Sequence, residues 1–428
     1  MRQAQGTLFE SAAVAPSHTF STFVDNLKLP VHRWFRYSAG FSAEWVEAVI
    51  GEQARAGKAV RLLDPFAGSA TTLIAAEHMS VPSYGIEAHP FVFRVARAKL
   101  AWRSDPDVYR TAVQQWTSEA AKIVPDTTGY PALIQKCFSE SSLRDLDKLR
   151  RAYERLKDNS AAWELVWLTL VSILRPVSQV GTAQWQYVLP NKQKRSPLDV
   201  RSAVAKTYDM ISADIKLSRG LSGPEAKILN ADARKCEGIN DEWATLVVTS
   251  PPYPNNYDYA DATRLEMSFM GEIQRWGDLQ DVVRKHLIRS CSQHVPESAV
   301  NLDEILSASE LEPIRHELSQ VCAELSEVRE SHGGRKTYHL MVACYFRDLA
   351  RVWQALRRVT TRGASVCFVI GDSAPYGVYV PVVPWLGKLA MSSGFQSFSF
   401  EKTRDRNIKW KNRKHRVPLK EGRLWVEG

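Results

Sequence analysis

Cysteine is sparse in this 428-residue chain. The six, Cys137, Cys236, Cys291, Cys322, Cys344 and Cys367, are scattered, and no two form a Cys-x-x-Cys pair. A zinc ribbon or dithiol motif has no basis here, no metal site is expected, and dispersed single thiols point to a reducing, cytoplasmic setting. A long apolar run is also missing. The most apolar stretch, 163–174, is broken by Glu164 and falls short of the ~20 residues that cross a bilayer, so it reads as a buried helix. Residues 1–20 are small and polar, lack the basic-then-apolar layout of a secretory signal, and are expected to be a flexible N-terminus. No internal repeat is visible.

What is present is ordinary globular composition, 44% hydrophobic and 24% charged, with a formal net charge of +9. Such a length suits one large α/β domain with insertions, or two domains. The positive excess suits a polyanion, because Lys and Arg on one face displace counterions from phosphates. It is concentrated at the end: from Lys402 to Gly428 there are ten Lys/Arg against three Asp/Glu, densest over 404–416.

Apolar patterning gives the organisation. Residues 59–64 form a short apolar run that ends on Asp64 and meets a Gly-containing turn. A helix over 71–79 follows, then a second strand over 83–87 ending on Glu87, which makes one βαβ unit. Ser42 is placed as N-cap of a helix over 42–50. Strands are expected at 227–232, 245–249, 364–370, 396–400 and 423–426, and helices at 338–359 and 383–392. Residues 91–225 read as mostly helical, with Leu143, Leu146, Leu149, Tyr153 and Leu156 at helical spacing. A second helical block, 272–332, carries the stripe Ile314, Leu318, Val321, Leu325 and Val328 and stops at His332-Gly333-Gly334. The expected fold is a doubly wound α/β sheet with two mainly helical insertions. The corresponding segments are 1–20 (flexible start), 21–100 (first part of the core), 101–225 (first insertion, candidate target-recognition region), 226–271 (core), 272–336 (second insertion) and 337–428 (remaining core with the basic end).

Two motifs stand at strand ends. Asp64-Pro65-Phe66-Ala67-Gly68-Ser69-Ala70-Thr71-Thr72 follows the first strand, where open α/β sheets bind ligands, and Gly68 permits close backbone approach. Glu87, nineteen residues after Gly68, can accept hydrogen bonds from ribose hydroxyls. As a pattern alone, a tight turn with a surface acid fits as well. The second motif is Thr249-Ser250-Pro251-Pro252-Tyr253. Two prolines fix consecutive φ angles and make a rigid turn. Its plain alternative is a strand-terminating proline turn with a buried tyrosine.

The first motif resembles the cofactor-binding motif of the S-adenosylmethionine-dependent amino-methyltransferases that modify cytosine N4 or adenine N6 in DNA. Those enzymes usually carry Gly where this chain has Ala70. The second resembles their catalytic motif in its cytosine-N4 form, since adenine-N6 enzymes more often place Asp or Asn at the Ser250 position. The resemblance implies Rossmann-like methyltransferase architecture, S-adenosylmethionine as cofactor and DNA with one base extruded as substrate. Asp64, Pro65, Phe66, Ala67, Gly68, Ser69, Thr71, Thr72, Glu87 and Asp232 would hold the cofactor, its methionine carboxylate at the helix N-terminus after Gly68. Ser250, Pro251, Pro252 and Tyr253 would be catalytic. Ser250 Oγ and the Pro251 carbonyl would accept the two N–H bonds of the base amine, and Tyr253 would give the base an aromatic face.

Residues 28–42 resemble the amino-terminal motif that closes the methionine side, with Trp34 or Phe41 equally readable as core. Residues 255–259 are a candidate lid, and Asp372 or Tyr376 a candidate aid in packing the base. No cysteine follows a proline, so the thiolate chemistry of cytosine-C5 methylation is excluded. Trp185, Tyr187, Lys192, Lys194 and Arg195, together with the basic end, are the candidates for holding DNA. Adenine N6 as target, RNA as substrate, and a catalytically idle nucleic-acid-binding subunit stay open. A restriction or phage-defence partner is compatible with the resemblance, though no motif marks one.

Overall fold

The computed structural model describes residues 25–37, 40–183, 186–217, 222–296, 300–334, 336–406 and 417–428. The start (1–20), Trp185 and segment 407–416 of the basic end therefore lie outside the described residues. Nine strands occur among those described: β1 (Leu62–Asp64), β2 (Ser83–Ile86), β3 (Val180–Thr182), β4 (Val188–Gln193), β5 (Lys227–Leu229), β6 (Ala244–Thr249), β7 (Thr360–Gly371), β8 (Ser397–Arg406) and β9 (Leu419–Glu427). Seven of them make one sheet in the order β5-β2-β1-β6-β7-β9-β8. The first five are mutually parallel, while β9 and β8 add an antiparallel edge.

Alternation along the strands explains why both faces are covered. Leu63, Val247, Val366 and Phe368 pack into a cluster with the helices Tyr338–Val359 and Val382–Ser392. Their neighbours Leu62, Leu246, Val248 and Cys367 pack instead with the helix Ala43–Arg55. Successive side chains of a strand point to opposite faces, so an unbroken apolar run requires helices on both. Ser42 caps Ala43–Arg55 as expected, its Oγ accepting from Trp45 N at 3.4 Å. The apolar stretch after Ser160 is the helix Ala161–Val177, buried along most of its length. Among the described residues no helix is long and apolar enough to cross a membrane.

The structure departs from the sequence reading in three places. Within 91–225, β3 and β4 form a separate antiparallel pair. A three-residue strand is too short to reveal an alternating period, and its pairing is a tertiary fact. Of the expected second helical block, only the helix Arg315–Ser331 is long; the described residues of 272–314 form short turns and the brief helices Leu279–Val282 and Leu302–Leu306. Its buried residues Ile288, Val295, Ile305 and Leu311 enter the core singly, without a helical period. Finally, β8 runs beyond Phe400 through the charged 401–406, because β9 supplies its hydrogen-bonding partner. Charged, mostly exposed side chains on that edge discourage pairing with another chain.

Candidate functional site

From β1 the sheet order runs outward to β2 and β5, and from β6 it runs the other way to β7. The reversal between β1 and β6 is where an open α/β sheet leaves a crevice at the strand carboxyl ends. Both sequence motifs meet there. Thr249, last residue of β6, donates its hydroxyl to Asp64 Oδ1, at the end of β1, at 2.5 Å. A cavity of about 700 Å³ opens on this junction. Every proposed site residue lines it except Pro251, which is buried away from it; Asp372, Tyr376 and Phe41 line it too.

The first motif forms a turn with two left-handed residues, Gly68 (φ 52°) and Ala70 (φ 70°). Ala70 lies where a glycine would be unstrained, so the alanine carries a backbone cost at this position. Asp64 Oδ1 accepts from Phe66 N at 3.0 Å and shapes the turn. The helix Thr71–His78 begins with no side-chain cap, so its first N–H groups are left for something else to satisfy. Glu87 holds the turn from the other side: Oε2 accepts from Gly68 N at 2.9 Å and Oε1 from His89 N at 2.8 Å. Each oxygen keeps a lone pair for a further donor. Burial pushes the carboxyl of Asp64 up to about 6 and that of Glu87 up to about 7. Asp232 caps a turn, accepting from Arg234 N and pairing with Arg234 Nη2 at 2.8 Å, yet still faces the cavity.

At the second motif, Ser250 Oγ donates to the Val369 carbonyl at 3.0 Å, which directs its remaining lone pairs elsewhere. Ser373 Oγ donates to the Pro254 carbonyl, so β7 and the loop just after it grip the turn at two points. Tyr253 lines the cavity, and the Arg406 guanidinium sits over its ring, 5.1 Å from the centroid. Arg406 in turn donates to the Asp372 carbonyl at 3.0 Å.

Sequence reasoning flagged 255–259 only as a lid and missed what supports it. Asn255, Asn256, Tyr257 and Tyr259 line the cavity, while Asp258 is buried beneath them. Arg284 Nη2 donates to Asp258 Oδ2 at 2.7 Å, and His294 Nε2 lies 3.3 Å from Asp258 Oδ1. Burial alone would raise this carboxyl, but His294 and Arg284 hold it down to about 2. Tyr187, from the β3–β4 hairpin, also lines the cavity, and its hydroxyl accepts from Asp258 N at 2.8 Å. Three tyrosines close together in the loop after the Pro-Pro turn were the available signal. Nothing local marks Arg284 or His294. Replacing Asp258 with Ala leaves the buried Arg284 unpaired and is expected to cost about 3–5 kcal/mol, read as a lowered urea midpoint.

Other sequence-flagged residues fall apart from the cavity. Trp34 is core, its Nε1 bonded to Asp214. Lys192, Lys194 and Arg195 are exposed on or just after β4. Among the described residues no group of His, Cys, Asp and Glu is arranged to hold a metal ion.

No family model matches the chain, and no solved structure matches it at a significant level. Among characterised proteins it is similar to the type II methyltransferase M.BsoBI of Geobacillus stearothermophilus, 25% identical over 421 residues that cover 87% of this chain and 80% of that protein. It is also similar to the type II methyltransferase M.AvaI of Nostoc sp. and of Anabaena variabilis, 23% identical over 408 residues covering 89% of this chain and 82% of theirs. A chain whose two motifs meet at one switch-point cavity is thus similar, over most of its length, to type II methyltransferases.

Proposed function

We propose that this chain is an S-adenosylmethionine-dependent DNA methyltransferase that modifies the exocyclic N4 amine of a cytosine extruded from the duplex at a specific site. One observation carries the reading: the Gly68 turn and the Ser250–Tyr253 turn, 185 residues apart where Thr249 meets Asp64, open onto the same cavity from the two sides of the switch point. Similarity to type II methyltransferases along most of the chain supports it independently.

The residues fit the cofactor. The uncapped N–H groups at Thr71 suit a carboxylate, Glu87 retains lone pairs for ribose hydroxyls, and Asp232 offers an acceptor beside them. When bound, S-adenosylmethionine supplies a methyl group already activated by its sulfonium, so the protein's task is positioning. Ser250, its proton committed to Val369, offers lone pairs to an amine N–H; the rigid Pro-Pro turn keeps that acceptor in place; Tyr253 and the wall of Tyr257 and Tyr259 shield the base from water. Serine at position 250 favours cytosine. We read 101–225 and 272–336 as insertions in the core and the exposed basic residues after β4 as a DNA-facing edge. Six buried, unpaired thiols suit a reducing compartment such as the cytoplasm.

Incubation with methyl-labelled cofactor and duplex DNA, followed by digestion to nucleosides, tests the reading. Label in N4-methyldeoxycytidine is expected. Label in N6-methyldeoxyadenosine would move the target to adenine, label only in RNA would change the substrate, and none in either despite cofactor binding would leave an idle subunit.

A further inference from the structure

The segment ahead of the first helix, 31–37, has its backbone held by side chains of other elements. Val31 N donates to Asp214 Oδ2 at 3.1 Å, and Trp34 Nε1 donates to the same oxygen at 2.8 Å. Arg33 completes the set with Nε on Oδ2 at 3.1 Å and Nη2 on Oδ1 at 2.5 Å. The segment's carbonyls are taken as well. Lys99 Nζ donates to those of His32 (2.9 Å) and Phe35 (3.2 Å), Ser172 Oγ to that of Trp34 (2.8 Å), and Gln186 Nε2 to that of Arg36. Val31 has φ 65°, a left-handed conformation that a β-branched residue adopts only when its surroundings impose it. Asp214, 1% exposed on the helix Val200–Leu217, supplies that constraint by accepting the Val31 N–H.

The far end of this strap reaches the cofactor turn. Tyr37 lines the cavity and lies against Gly68: a Cβ there would meet Tyr37 Cε1 at 3.6 Å. Gly40 and Phe41 continue the same wall. The supports Ser172, Gln186 and Asp214 all belong to 101–225, the region the sequence marked for target recognition. Gln186 is itself anchored, because Arg175 Nη1 donates to its carbonyl at 2.7 Å while pairing with Glu266.

We propose that Asp214 is a positioning residue for cofactor binding. By fixing the strained Val31 turn, it sets the strap so that Tyr37 closes the cavity over the Gly68 turn. Segment 101–225 thereby acts on the cofactor side of the site in addition to any contact with DNA. The proposal rests on the reading of the Gly68 cavity as the S-adenosylmethionine site.

The test uses the full chain, with Asp214→Ala, Asp214→Asn and the milder Ser172→Ala, and reads two quantities. Backbone hydrogen exchange in the 25–37 peptide is expected to quicken in all three, most in Asp214→Ala. S-adenosylmethionine affinity should weaken about tenfold in Asp214→Ala, less in Asp214→Asn, which keeps an acceptor oxygen, and about threefold in Ser172→Ala. Affinity for duplex DNA without cofactor should stay within about twofold of wild type.

Unchanged exchange in 25–37, faster exchange with unchanged cofactor affinity, or equal loss of cofactor and DNA binding would each overturn the proposal. If Asp214→Ala does not fold, Ser172→Ala decides by the same criteria. A wild-type chain that binds no S-adenosylmethionine would sink the functional reading instead, and the exchange measurement would still decide whether Asp214 holds the strap.

Discussion

Ser250→Ala is expected to lower kcat about 100-fold while leaving the dissociation constant for S-adenosylmethionine within about twofold of wild type, the scale seen when one preorganised polar contact is removed from a reacting group. The reasoning is local. The Ser250 hydroxyl is already oriented by the Val369 carbonyl at 3.0 Å, so the substitution removes the acceptor proposed to meet the base amine, one that needs no reorganisation. It leaves Asp64, Gly68 and Glu87 in place, since Thr249, not Ser250, bridges β6 to Asp64. Single-turnover methylation of duplex DNA and equilibrium cofactor binding, measured on the same preparation, separate the two quantities. A loss of cofactor affinity as large as the loss in rate would end the division of labour between the motifs.

Glu87→Ala should do the reverse, weakening cofactor binding about 100-fold because it removes the proposed ribose acceptor and orphans the Gly68 and His89 N–H groups that shape the turn. Glu87→Gln, which keeps one acceptor, should cost about tenfold. A pH signature accompanies this. Burial raises the carboxyl from its usual 4.5 to about 7, so between those values the folded chain holds a proton that the unfolded chain has released. Its contribution to stability is therefore full below pH 4.5 and is lost as pH rises through about 7. Cofactor affinity should run the other way, because an ionised carboxylate accepts hydroxyl hydrogen bonds more strongly. The dissociation constant is expected to rise about tenfold from pH 8 to pH 6 in wild type and to stay flat in Glu87→Gln. A flat profile in both would remove Glu87 from the ribose.

These predictions and the one for Asp214 draw on different amounts of sequence information. The helix Tyr338–Val359 was legible to the residue, because apolar residues recur at its period for many turns. The parallel strands were legible as short apolar runs ending on Asp64, on Glu87 or at Thr249-Ser250, and Ala70 was marked by the motif before its φ of 70° gave the reason. The β3–β4 pair and the turns of 272–314 were not, since neither carries a period of its own.

By itself, then, the sequence determined the chemistry available at each strand end: a Gly68 turn beside Glu87, and a rigid Pro-Pro turn beginning at Ser250. Those are local properties of backbone freedom and side-chain type. Only the tertiary structure decided that the two turns face one cavity, because strand order is a matter of long-range pairing and β1 meets β6 across almost two hundred residues. It also decided what stands behind the site. Arg284 and His294 hold Asp258, and Asp214 holds Val31, through contacts between residues with no common sequence pattern, chosen by burial and by the need of each buried polar group for a partner.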